Sequence, residues 1–172
     1  MSYSFLTPGP TIVWANSPSG GQLGLAATSL ASGAACQGDK SPTLLDATKG
    51  LAEWIYCLPE TIPATAPADF LNFEWWLGWS DSATPATNNP AGLTGVSGAF
   101  ASPGSAKNLL TFVGSIISSN AIGAALHRQD PFFVRVKNIC FIPLLANSSG
   151  VALSAVAGST KFSVTPFYRV NQ

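Results

Sequence analysis

Leu71-Asn72-Phe73-Glu74-Trp75-Trp76-Leu77-Gly78-Trp79 decides the fold class. Leu71, Phe73, Trp75, Leu77 and Trp79 recur at every second position, with Asn72, Glu74 and Gly78 between them. A period of two puts alternate side chains on opposite faces of an extended strand, whereas a helix needs about 3.6. Aromatic residues also fit the pleated surface of a sheet. The stretch therefore predicts a strand with one face toward a core. Trp76 lies on the polar face with Glu74, so it is the tryptophan left for solvent or a partner.

The same alternation recurs outward from this strand. Residues 52–58 place Trp54, Tyr56 and Leu58 on one face. Residues 132–137 alternate Phe132, Val134 and Val136 against Arg135 and Lys137, and the phase then slips at Asn138, which predicts a β-bulge. Phe162, Val164, Pro166, Tyr168 and Val170 oppose Lys161, Ser163, Thr165 and Arg169. Pro166 predicts an edge or a break in this last strand. Residues 109–117 fit either period, and Thr111, Phe112, Val113, Ile116 and Ile117 favour strand by propensity. Residues 23–30 offer a further strand, and 43–50 a turn or short helix.

Gly/Pro-rich connections join these runs. The longest, 80–104, is too long for a hairpin and predicts a crossing between sheets. Many short strands with such connections predict an all-β fold, an antiparallel β-sandwich of jelly-roll type. Residues 1–22 hold Pro8, Pro10 and Pro18 around one short apolar run, which predicts an extended N-terminal arm. The remainder, residues 23–172, predicts a single sandwich domain.

Charge narrows the function. Eight Lys/Arg and eight Asp/Glu in 172 residues make 9% charged, against roughly 25% in ordinary domains. Ala, Ser, Thr, Gly, Pro and Asn replace the missing charges, so the deficit is not that of a membrane span. Even the uncharged stretch 108–126 carries Asn108, Thr111, Ser115, Ser118, Ser119 and Asn120, too polar for a spanning helix. The first ten residues predict no secretory leader. Ten Phe, five Trp and three Tyr argue against disorder. A net charge of zero, without a basic patch, argues against nucleic acid.

Candidate chemistry is sparse. His127, the only histidine, could be drawn with Asp130 and Cys57 or Cys140 as base, orienter and nucleophile. No nucleophile elbow or diagnostic cysteine context supports this, and 127–131 predicts a solvated loop. Cys36, Cys57 and Cys140 have no metal-ligand spacing, and Asp39, Asp46, Asp69, Asp81 and Asp130 are too dispersed for calcium. Glu53 and Glu74, each beside tryptophan, are the one carboxylate pair that a β-sandwich glycosidase could use, but a lone Glu on a solvent face is ordinary. Asn147-Ser148-Ser149 matches a glycosylation sequon and equally predicts a turn. The expectation is no enzyme, no cofactor and no metal.

Three segments carry a resemblance. They are Trp79-Ser80-Asp81-Ser82-Ala83-Thr84 leading to Asn89-Pro90-Ala91-Gly92 and Gly95, then Leu110-Thr111-Phe112-Val113-Gly114-Ser115-Ile116-Ile117, then Phe133-Val134-Arg135-Val136-Lys137-Asn138 with Ser149-Gly150-Val151-Ala152-Leu153 and Lys161-Phe162-Ser163-Val164-Thr165-Pro166. Across roughly residues 70–170 the chain resembles small β-rich structural proteins of tailed bacteriophages. It departs from their pattern at the unusually apolar run Ile139-Cys140-Phe141-Ile142-Pro143-Leu144-Leu145, which is either extra core or a subunit contact.

The resemblance implies a virion component on the outer surface of the phage capsid, made in the host cytoplasm. It implies a capsid decoration or cement protein that binds the major capsid protein and its own copies, as a homotrimer. A tail or baseplate module and a non-catalytic carbohydrate-binding module using Trp76 are the alternatives. Tyr3, Phe5 and Leu6 of the arm, with Trp76, are the expected partner contacts.

Overall fold

Alternation becomes strand throughout the chain. The computed structural model describes residues 4–101, 103–128 and 130–171. Its strands are β1 (Ser4–Pro8), β2 (Ile12–Ala15), β3 (Leu23–Gly24), β4 (Ala35–Gln37), β5 (Leu45–Asp46), β6 (Gly50–Leu51), β7 (Trp54–Thr61), β8 (Asn72–Ser80), β9 (Gly98–Phe100), β10 (Thr111–Ile117), β11 (His127–Arg128), β12 (Phe132–Arg135), β13 (Cys140–Ser148) and β14 (Lys161–Asn171). Among the described residues, helix is confined to single turns such as Pro103–Ala106. The fold is all-β.

Two sheets carry nearly all of it. In the first, β11 and β12 pair with β7, β7 with β14, and β14 with both β1 and β2, with β3 at the margin. The second runs β10-β8-β13-β4-β9. Every pairing is antiparallel except β2 with β3. A small hairpin, β5 with β6, stands apart, its turn closed by Asp46 Oδ1 accepting from the backbone and hydroxyl of Thr48 and from the Lys49 N–H.

One buried cluster draws from both sheets: Trp14, Ile55, Cys57, Phe162 and Val164 from the first, Phe73, Trp75, Leu77, Phe141 and Leu145 from the second. Phe73, Trp75 and Leu77 are fully buried, as the opening stretch predicts, and Leu71 falls outside the strand and is exposed. A second cluster, Leu93, Ile142 and Leu144, covers the opposite face of the second sheet and packs against Trp76, Phe100 and Leu110. β13 is therefore apolar on both faces, so the run 139–145 is core.

Three expectations change here. The slip at Asn138 is no bulge: β12 belongs to the first sheet and β13 to the second, so the chain changes sheets there. The bulge lies in β10, between Phe112 and Gly114. The 80–104 connection does not cross between sheets, since β8 and β9 both belong to the second. It folds over the outer face of that sheet and supplies Leu93. Residues 4–8 and 12–15 are not a free arm: β1 and β2 pair with β14, and Trp14 is fully buried with its Nε1 donating to Asp39 O at 2.7 Å.

Proline chemistry explains the joint between β1 and β2. β14 is flanked on both sides, so Pro166 is not on an edge. A strand residue's N–H and C=O point the same way. Pro166 O accepts from Gly9 N at 2.8 Å, so the missing N–H faces the gap between β1 and β2, where no acceptor is needed. Pro59 of β7 is likewise in register with neither β11 nor β12.

Candidate functional site

The outer face of the first sheet gathers aromatic side chains. In β7, Ile55 and Cys57 point into the core, so Trp54, Tyr56 and Leu58 point outward. Register then fixes their neighbours: Tyr56 lies opposite Phe133 and Thr165, Trp54 opposite Arg135 and Phe167, and Leu6 opposite Arg169. Tyr56 and Phe133 meet edge to face at 5.2 Å, and Phe133 and Phe167 lie 6.2 Å apart. Leu6, Trp54, Phe133 and Phe167 line an open groove of about 360 Å³. Phe133 is 62% exposed.

Charges rim the groove without entering it. Arg169 donates to Glu53 from Nε at 2.9 Å and from Nη2 at 2.8 Å. This hydrogen bonding holds the Glu53 carboxyl below its ordinary range. Arg135 is exposed and, among the described residues, takes part in no ion pair. An apolar centre with a polar rim is the anatomy of a protein contact.

No protein-family model and no curated protein matches this chain.

Of the expected contact residues, the structure brings Leu6 to the groove. Tyr3 lies outside the described residues. Phe5 is exposed but falls on the opposite face of β1 from Leu6. Trp76 is on the other sheet and half-buried: its ring packs on Phe112 at 4.8 Å, Lys107 Nζ stands 5.1 Å from its centre, and its Nε1 donates to Glu74 at 3.3 Å. Trp54, Phe133 and Phe167 were not expected as contacts. Alternation placed Trp54 and Tyr56 together, but only the sheet pairing sets Phe133 and Phe167 beside them.

The other candidate groups are dispersed. His127 is buried, not solvated: its ring packs at 6.0 Å from Phe73 and its Nε2 lies 3.0 Å from Gly123 O. Cys57 is in the shared core, and burial raises all three thiols, Cys36 to about 12. Glu53 stands just before β7 of the first sheet, tied to Arg169, and Glu74 lies on β8 of the second, tied to Lys107 at 2.8 Å, so they form no carboxylate pair. Among the described residues no three His, Cys, Asp or Glu side chains gather as a metal site. Asn147 is buried with its amide spent on Leu30 O and Val151 O, both at 2.9 Å, so the sequon is closed to a glycan in the folded chain.

One buried cation organises the longest loop. Lys40 Nζ donates to Ser80 Oγ and Ser82 O at 3.0 Å and to Thr84 O and Thr87 O at 2.7 Å. Burial lowers its pKa, and the nearby Cys140 and Asp81 oppose that shift. Gln37 and Asp39 pin the same loop further on, through Thr94 and the Ser97 N–H.

Proposed function

We propose that this protein is a virion structural protein, a capsid decoration or cement protein of a tailed phage. Its two sheets act as a rigid jelly-roll-type β-sandwich on the outer surface of the shell. It works by covering apolar surface against neighbouring subunits, the major capsid protein and its own copies in a homotrimer. The observation that carries this reading is the aromatic groove of Leu6, Trp54, Phe133 and Phe167, a protein-binding face on a chain with little charge to desolvate. The loops contribute rigidity, since Lys40, Asp39 and Gln37 hold the longest one in place.

Co-sedimentation with phage particles that lack this protein tests the reading. The wild-type chain is expected to saturate heads at a fixed ratio to shell protein. Phe133→Ser is expected to lower occupancy about ten-fold, the effect of losing a contact hot spot. Binding to tails in place of heads would make it a tail or baseplate module. Binding to neither would overturn the proposal.

A further inference from the structure

Phe70 breaks two rules at once. It is 89% exposed, and its φ of 62° lies in the left-handed region that glycine or asparagine adopts at far less cost. The turn that holds it is clamped. Phe70 N–H donates to Ser118 O at 3.1 Å, Ser118 N–H to Leu71 O at 2.8 Å, Ser118 Oγ to Ala68 O at 2.6 Å, and Asn120 N–H to Asp69 Oδ1 at 2.7 Å. The chain therefore accepts backbone strain at a residue whose phenyl ring stands in solvent. Strain of this kind concentrates where a segment engages something else.

The knob and the groove lie at opposite ends of the molecule. Trp54, in the groove, begins β7, and Thr61 ends it. Thr61 pairs with His127, whose ring packs on Phe73, just beyond the Phe70 turn. The length of β7, roughly 23 Å, separates the two ends. A rigid sheet cannot bring them together within one chain.

Their charges are complementary. Asp69, exposed beside Phe70, and Arg135, exposed on the strand pair that builds the groove, each lack an ion-pair partner among the described residues. Around the knob, Leu71, Ile117 and Ile122 are exposed and uncharged.

We infer that Phe70 of one copy seats in the groove of Leu6, Trp54, Phe133 and Phe167 of a second copy, with Asp69 meeting Arg135. The contact is heterologous, head to tail, and it closes into a ring when the rotation between copies permits. It rests on the groove being a protein-binding face, as proposed above, and names the occupant. It does not depend on the capsid.

Sedimentation velocity on the purified full-length chain tests it without phage particles. The wild-type chain is expected to self-associate. Phe70→Gly is expected to weaken association about 30-fold, the effect of losing a central anchor. Its melting temperature should hold or rise, because glycine relieves the strained φ. Phe133→Ser should weaken association alike. Mixing the two variants should restore a species of two copies and nothing larger, since one intact knob meets one intact groove. A monomeric wild-type chain, an unchanged Phe70→Gly oligomer, or a mixture that stays monomeric would each overturn the inference. None of these outcomes bears on binding to the shell, which the co-sedimentation reads separately.

Discussion

The indole of Trp75 stacks on the ring of Phe162, with centroids 4.8 Å apart and planes 10° from parallel. One residue comes from β8 and the other from β14, so the contact ties the second sheet to the first. Phe162 also meets Trp14 at 6.0 Å.

Phe162→Ala removes the hub of this aromatic cluster. The expected loss is about 3–5 kcal/mol of unfolding free energy, as for other buried Phe→Ala changes. Urea denaturation followed by tryptophan fluorescence measures it. A loss under about 1 kcal/mol would mean that the sheets are joined elsewhere.

Trp75 and Trp14 differ in their polar handles. Trp75 Nε1 finds no hydrogen-bond partner among the described residues, whereas Trp14 Nε1 donates to Asp39 O at 2.7 Å. Trp14→Phe is therefore expected to destabilise more than Trp75→Phe, by about 1–2 kcal/mol. Equal midpoints for the two variants would contradict the hydrogen-bond argument.

Lys40→Ala strips the cation from four oxygen acceptors. An ammonium has three protons, so the acceptors share them, and the loss leaves the carbonyls of the 82–87 loop with only the Ser80 hydroxyl and the Thr87 N–H as donors. The expected cost is about 3–4 kcal/mol, with limited proteolysis opening first in the 80–97 connection. Because the vacated cage is the size of an ammonium ion, methylammonium is expected to restore part of the protease resistance. Sodium at equal ionic strength serves as the control.

Alkaline pH acts through the thiols. Burial raises Cys36 from its ordinary 9.0 to about 12, and raises Cys57 and Cys140 as well. An acid whose folded pKa is raised contributes stability that is complete below the unfolded value and lost as pH climbs through the folded one. Urea midpoints should therefore fall between pH 9 and about 12 for Cys36. Lys40, lowered by burial, has the opposite sign and blunts the fall. The Cys36→Ala, Cys57→Ala double variant should show a shallower decline, and an unchanged slope would remove the thiols as its cause.

Gly114 is required by its neighbour. The ring of Phe132 fills the space that a Cβ at this position would take, at the approach of β10 to β12. Gly114→Ala is expected to cost about 1–3 kcal/mol through overpacking. Adding Phe132→Leu should recover part of that loss, and the recovery distinguishes crowding from a backbone effect.

Much of this was legible along the chain. Alternation in 71–79, 132–137 and 161–170 identified strands because side-chain direction in a strand depends only on the residue's own position. Pro166 predicts an edge or a break, yet β14 is central and continuous, because a proline needs only a local gap in its neighbour strand and not an open side. The slip at Asn138 was real, but its cause was a change of sheet. Within one strand the two have the same signature.

The groove was less legible. Leu6 was expected as a contact, but as part of an arm. Trp54, Phe133 and Phe167 come from three strands distant in sequence, and only register places them side by side. The strain at Phe70 leaves no sequence signal at all, since φ is set by the turn that Ser118 and Asn120 clamp.

By itself, then, the sequence determined that the chain is all-β and which residues of a strand share a face. Those properties follow from local backbone geometry. Tertiary structure alone decided which face of β7 is inside, that residues 4–8 and 12–15 join the first sheet, and that the aromatics of β7, β12 and β14 meet in one exposed groove. Both faces of β7 carry apolar side chains, so its buried face is chosen by packing between residues far apart in the chain.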